Sequence, residues 1–329
     1  MLDDQINKMF EKHLTAKQFG DAKFLNVIKR DIHLCYLKYG FTPRDYFLFN
    51  FHKENRSSKL RRTFISDVYK DYLLFSKEGA SKYAELYNKS RFYERTKSYF
   101  KRPVLFVDEK TEESVFLDFA TGVKRLFIKP NSDSYGRGAM VADIHNLEEA
   151  KVLYQQIKVG SCMVEGRLSQ NPEMGKWNES SVNTVRLNTY LTNRGFFILA
   201  PFIRTGRKGS IVDNGGAGGI FATIDEKTGI IITDGMDEAG NSYIEHPDSK
   251  VKFKGEQIPE WDLLIKEAES IHRNCMSDHI YISWDFAYTP NGWTVVEGNW
   301  GQFICQQSST QKGYKKEFKI CMKGKALSK

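Results

Sequence analysis

No two cysteines in this sequence are spaced as CxxC, and the five present (Cys35, Cys162, Cys275, Cys305, Cys321) are scattered and odd in number. That argues against a structural zinc site or a disulfide framework and predicts reduced thiols in a cytoplasm. No apolar run approaches the length needed to span a bilayer. The opening MLDDQINKMFEKH is charged and helical in character, without the apolar core or cleavage site of a signal peptide, so a cytoplasmic location is expected. Internal repeats and low-complexity segments are missing, and so is the GK[ST] of a Walker A loop.

What is present is enough apolar material for a sizeable core: 329 residues, 40% hydrophobic, which predicts two or more closely associated subdomains. The formal charge of +8 is unevenly spread. Residues 1–102 hold 22 Lys+Arg against 12 Asp+Glu, whereas residues 103–329 hold 27 against 29. The basic stretches are HKENRSSKLRR (52–62) and RFYERTKSYFKR (91–102). They could serve nucleic acid, anionic lipid or a polyanion, but a charge run alone favours a solvated helical face. Nucleic acid is therefore not the expected partner, and a peripheral contact through this basic region stays open.

The first hundred residues read as mostly helical. Ile28, Ile32, Cys35, Tyr36 and Tyr39 recur at helical spacing and stop at Gly40. Further helices are expected over about 63–75 and 83–99. VLFV (104–107), RLFIK (125–129) and SCMVEG (161–166) read as strands, with a helix over 147–158 that Asn146 caps and Glu149 completes as a capping box. From Val182 the chain is mainly β (VNTVRLNTYL, GFFILAPFIR, GGIFATID, GIIIT), interrupted by a helix over 261–274. This order predicts an α+β architecture. The expected divisions are a helical region 1–102, a small subdomain 103–165 and a larger one 166–329.

The chemistry concentrates in the last hairpin, IYISWDFAYTPNGWTVVEGN (280–299). A three-residue Pro290-Asn291-Gly292 loop would pair Thr289 with Trp293 and set Asp285 opposite Glu297. Two carboxylates facing each other repel unless something neutralises them. Asn299 shares their face, because side chains alternate along a strand. Three such oxygen donors suit a hard cation, Mg²⁺, bound jointly with phosphate. Phosphate in turn asks for a grip, and FIKPNSDSYGRGAM (127–140) offers one: Lys129 at a strand end before Pro130, then a loop with Ser132, Ser134, Gly136, Arg137 and Gly138. Arg186 and Arg204 lie on successive strands and could clamp a phosphoryl or carboxylate group. Asn214, Gly215 and Gly216 form a candidate close-approach loop. His246 and His272 are expected to be hydrogen-bonded structural residues, and Cys162 and Cys305 small buried hydrophobes.

Taken in order (strand-Lys-Pro with a glycine-rich loop, VEG, TVRLNTY, IRTG with VDNGGAGG, and the final hairpin), these motifs resemble the ATP-grasp enzymes over residues 85–310. They are most similar to the sugar-transfer-associated ATP-grasp proteins of bacterial surface-polysaccharide loci, and more distantly to ribosomal-protein glutamate ligases. The resemblance implies an ATP-grasp fold, two α+β subdomains gripping ATP, behind a mostly helical N-terminal region. It implies that Lys129 holds the nucleotide's phosphates, that Lys89 is the family's earlier cofactor-binding lysine near the start of the ATP region, that residues 132–138 form a lid, and that Glu165 is the hinge acid at the adenine and ribose pocket. Asp285, Glu297 and Asn299 would be the magnesium ligands, and Arg186 and Arg204 would lie near the γ-phosphate and acceptor. Where the family often has Asn-Pro after its glutamate, this chain has Asn299-Trp300-Gly301, which puts the shape of the acceptor pocket in doubt. The implied activity is ATP- and Mg²⁺-dependent ligation, through an acylphosphate, of a carboxylate-bearing sugar or amino-acid derivative to an amine in surface polysaccharide assembly. A kinase acting on a hydroxyl, a nucleotide-binding regulatory module and a basic nucleic-acid-binding protein remain alternatives.

Overall fold

In the structure, a computed structural model, residues 2–53, 59–131, 138–213 and 215–324 are described. The helix Ala22–Tyr39 starts on Asp21, whose side chain accepts from Lys23 and Phe24, and ends on Gly40 in the left-handed conformation that only a glycine adopts cheaply. With Leu2–His13 and Pro43–Leu48 it closes over an aromatic cluster of Phe10, Phe41, Tyr46, Phe47, Phe49 and Phe51. Inside it Arg61 pairs with Asp31 through two bonds of 3.0 and 2.9 Å, and Tyr46 donates to the same carboxylate at 2.7 Å. One arginine of the basic stretch 52–62 is thus a buried counter-ion.

The charge asymmetry has the same explanation elsewhere. Arg44 pairs with Glu238, Arg95 with Asp278, Lys101 with Glu267 and Arg102 with Glu165. Basic residues of the first third reach acidic residues of the remainder, so much of the local excess joins the two parts of the chain rather than facing solvent.

The helical region continues through Asp67–Glu78, Ala80–Tyr87 and Lys89–Thr96, the last two separated at Asn88, which caps the second by accepting from Arg91 N at 3.1 Å. A first sheet follows, of β1 (Val104–Val107), β2 (Arg125–Pro130), β3 (Met140–Asp143) and β4 (Cys162–Gly166), in the antiparallel order β1-β4-β2-β3. Helices Glu113–Val123 and Leu147–Ile157 cover it, burying Phe116, Ala120, Leu153 and Tyr154 against Leu126, Ile128 and Val164. Asn146 caps the second helix, accepting from Glu149 N at 2.9 Å.

The second sheet contains β5 (Thr184–Thr192), β6 (Gly195–Ile198), β7 (Phe202–Thr205), β8 (Ile220–Thr223), β9 (Gly235–Asp237), β10 (Ser242–Tyr243), β11 (Tyr281–Thr289) and β12 (Gly292–Asn299). Its order is β10-β9-β8-β7-β5-β11-β12, with β6 also on β5. GFFILAPFIR is two strands, broken where Ala200 takes φ +47°, and GIIIT contributes only isolated bridges. Alternation sorts the central strands: Val185, Leu187, Ile282, Trp284 and Phe286 are buried in a core with helix Trp261–Cys275, leaving Thr184, Arg186 and Asp285 on the opposite face.

Gly298 shows how tightly the hairpin is covered. A Cβ there would lie 2.3 Å from Cε2 of Phe92, whose ring packs on Trp284 at 5.7 Å. Gly298→Ala is expected to destabilise the protein by about 2 kcal/mol through overpacking, seen as a melting temperature several degrees lower.

Candidate active site

The final hairpin reaches the expected pairing by another route. Its loop has two residues, Pro290 and Asn291, with Thr289 opposite Gly292, which takes φ +85°. That register alone would set Asp285 against Val296. A bulge between Asp285 and Phe286 inserts one residue on β12, so Asp285 faces Glu297 and Ser283 faces Asn299. On its other side Asp285 faces Arg186 of β5. The cross-strand row is arginine, aspartate, glutamate.

Two arginines resolve the repulsion in that row. Arg186 donates to both oxygens of Asp285 at 2.6 Å, and Arg204 Nη2 lies 2.8 Å from Oδ2. Arg204 is steadied by donating to Thr184 Oγ1 at 3.1 and 2.9 Å and lies 3.5 Å from Asp213. Burial would raise the fully buried Asp285 carboxyl, but Arg186 and Arg204 outweigh it and bring it down to about 2. Asn299 donates to Glu297 Oε1 at 2.9 Å and faces Asp285 Oδ2 at 3.4 Å. Asn299 thus turns its amide nitrogen toward the two carboxylates; Asp285 and Glu297 supply oxygen donors that fit a hard divalent cation, and Asn299 would add its own by rotating its amide.

Across from it, the small sheet supplies a second charged cluster. Lys129 at the end of β2 lies 3.1 Å from Glu165 Oε1, and Arg102 holds Oε2 at 2.7 Å. Burial opposes ionisation of Glu165, yet Arg102 and Lys129 keep its carboxyl below its ordinary value. Lys89 opens its helix beside the end of β2, its backbone N bonded to Asn131 O at 3.4 Å.

Between the sheets lies a cavity of about 870 Å³. Lys89, Lys129, Glu165, Arg186, Arg204, Asp285, Glu297 and Asn299 all line it, brought together from six separate stretches of sequence. Gly138 takes φ +70° against Pro130, next to the lining residue Ala139. Ser134, Gly136 and Asn214 lie outside the described residues. Gly215 and Gly216 sit in a short 3-10 turn, Gly215 against Glu238, and the cavity wall here is formed by Val212 and Asp213 instead.

Sequence reasoning missed the contribution of the N-terminal helices. Asp67, Lys70, Asp71, Tyr83 and Tyr87 also line the cavity. Lys70 is 3% exposed, and its ammonium donates to the carbonyls of Trp300 and Gly301, directly after Asn299. Trp300 donates to Asp71 Oδ1 at 3.0 Å and stacks on Phe75 at 5.5 Å. The only sequence signal was Asp67, Lys70 and Asp71 on one helical face; nothing local ties them to a strand 230 residues away.

Other reactive-looking groups are accounted for structurally. Glu85, Asp278 and His279 approach metal-ligating distance of each other, but Lys82 and Arg95 pair with the two carboxylates, between which the His279 ring sits at 3.4 and 3.5 Å. Burial pushes the thiols of Cys162 and Cys305 up to about 11 and about 12, which makes them poor nucleophiles. His246 bonds Gly206 O at 2.9 Å. His272 is fully buried between Thr189 Oγ1 at 2.9 Å and His279 O at 3.0 Å. Burial brings it down to about 3 from 6.5. A histidine depressed in this way contributes stability that is whole above pH 6.5 and is lost as pH falls through 3. Its NMR signals should stay those of a neutral ring from about pH 8 to 5; a midpoint near 6.5 would refute this environment.

A family model described as sugar-transfer associated ATP-grasp matches residues 76–321. Among solved structures, the chain is similar to D-alanyl-alanine synthetase A from Vibrio cholerae, with 13% identity and a TM-score of 0.45 over 75% of this chain and 67% of that one. It is similar to N5-carboxyaminoimidazole synthetase from Staphylococcus aureus, with 12% identity and a TM-score of 0.46 over 81% and 60%. For D-alanine–D-alanine ligase from Bacillus anthracis the values are 10%, 0.41, 72% and 66%. The chain thus spans 60–67% of the lengths of these three proteins. No curated protein matches it. Among the described residues no helix is long and apolar enough to cross a membrane.

Proposed function

This chain belongs to the sugar-transfer associated ATP-grasp family and has its fold, and from that premise we propose that it is an ATP-dependent carboxylate–amine ligase. The observation that carries the reading is the single cavity in which Lys129, Arg186 and Arg204 meet Asp285, Glu297 and Asn299. Lys129 and Lys89 bind the phosphates of ATP, and Glu165 with Arg102 orients Lys129. Asp285, Glu297 and Asn299 would hold Mg²⁺, whose chemistry there is to neutralise phosphate charge.

Arg186 and Arg204 stabilise charge that develops as a substrate carboxylate attacks the γ-phosphate. The products of that step are ADP and an acylphosphate. An amine then attacks the acyl carbon and phosphate leaves, giving an amide. Such catalysis is positioning and electrostatics, consistent with the absence of any activated nucleophile at the buried cysteines. As donor we propose a carboxyl-bearing sugar or amino-acid derivative used in surface polysaccharide assembly, a reading in keeping with a family described as sugar-transfer associated.

The test is phosphate release from ATP across pairs of carboxylates and amines, with hydroxylamine as trap. Release that needs both partners, and a hydroxamate formed from the carboxylate and hydroxylamine, supports the ligase. Stable phosphorylation of a single acceptor would instead establish a kinase.

A further inference from the structure

The cavity wall built by helices Asp67–Glu78 and Ala80–Tyr87 differs in charge from the rest. Where the sheets set Lys129, Arg186 and Arg204 against Glu165, Asp285 and Glu297, this wall presents Asp67 and Asp71 to the cavity. One cation stands among them, Lys70, 3.6 Å from Asp67 and 3.2 Å from Asp71. It is buried and directed at the carbonyls of Trp300 and Gly301, whereas the Asp67 and Asp71 side chains are 47% and 37% exposed. A ligand in the cavity therefore meets two carboxylates and little of the ammonium.

Aromatic rings complete the wall. Trp300 meets the edge of Tyr83 at 5.4 Å, and Tyr83 packs on Tyr87 at 4.6 Å. Tyr87 lies within electrostatic reach of both Asp71 and Glu297, so the wall adjoins the carboxylate end of β12. Carboxylates beside aromatic faces favour an organic cation through charge-assisted hydrogen bonds and the ring quadrupole. An anionic substrate group would be repelled here and drawn to the arginines. Burial raises the Asp67 carboxyl, with Lys70 opposing the rise and Asp71 adding a smaller part to it.

We propose that Asp67, Asp71, Tyr83 and Tyr87, backed by the buried Trp300, form the subsite for a primary ammonium group, the amine substrate of the ligase. This rests on the ligase reading and adds to it the entry side and ionic form of the acceptor. The N-terminal helices then decide which amine is used, with Lys70 as a positioning residue that fixes Trp300 beside Asn299.

The experiment is thermal unfolding of the full chain with ATP and Mg²⁺, titrated with ethanolamine or glucosamine, and with N-acetylglucosamine as the neutral control. Both amines are expected to stabilise the protein and the control is not. Asp71→Asn and Asp67→Asn, made separately, should each raise the apparent Kd for the amines at least tenfold while the shift given by ATP and Mg²⁺ is kept. That retained shift shows each variant is folded. Stabilisation by ATP without any by the amines, equal binding of N-acetylglucosamine, or unchanged amine binding in both variants overturns the subsite alone. Failure of ATP to stabilise the wild type overturns the ligase reading beneath it.

Discussion

Glu297→Gln is expected to lower ATP turnover by about two to three orders of magnitude, the usual cost of removing one group that organises transition-state charge. The substitution is isosteric, and Glu297 is half-buried at the end of β12. It removes a carboxylate from opposite Asp285, which by itself relieves repulsion. The nucleotide-free protein should therefore melt within about 2 °C of wild type, since about 1 kcal/mol moves a protein of this size by only a few degrees. Phosphate release and a melting curve on the same preparation separate the two effects. Turnover near the wild-type rate would remove Glu297 from the site.

Asp285→Leu is expected to act on stability as well. It strips the carboxylate from between two guanidinium groups whose side chains are only 16% and 12% exposed. Breaking a buried pair from one side costs about 3–5 kcal/mol, because the remaining charge stays desolvated without a counter-ion. The double variant Asp285→Leu with Arg186→Met should recover a good part of that loss, since one orphaned charge is gone too, yet remain inactive. Urea midpoints at unchanged slope would measure both. A double variant no more stable than the single one would mean that Arg204, not Arg186, carries most of the uncompensated charge.

The hairpin illustrates how sequence and structure relate here. Alternation in IYISWDFAY correctly sorted its two faces, because a strand with one face in a core must keep period two. The pairing of Asp285 with Glu297 also held, but through a two-residue loop and a bulge. Pro-Asn-Gly is compatible with more than one turn, and a bulge among Val295, Val296 and Glu297 leaves no mark in residue type. The α+β order and the ATP-grasp resemblance were legible because motif order survives in the chain. The charge excess of residues 1–102 was not interpretable alone: Arg61 turned inward to Asp31, and Arg95 and Arg102 found acids far along the sequence. Lys70 was invisible for the same reason, since its importance lies in carbonyls contributed by Trp300 and Gly301.

The account turns on one cavity binding ATP through Lys129 on one sheet and Mg²⁺ at Asp285, Glu297 and Asn299 on the other. Thermal unfolding with ATP across a Mg²⁺ titration tests it most directly. At a hundredfold excess over Kd the expected stabilisation is about 2.7 kcal/mol, with a Mg²⁺-dependent part that Glu297→Gln loses. No stabilisation of the wild type by ATP and Mg²⁺ would contradict the nucleotide site, and equal stabilisation of Glu297→Gln would contradict the metal site.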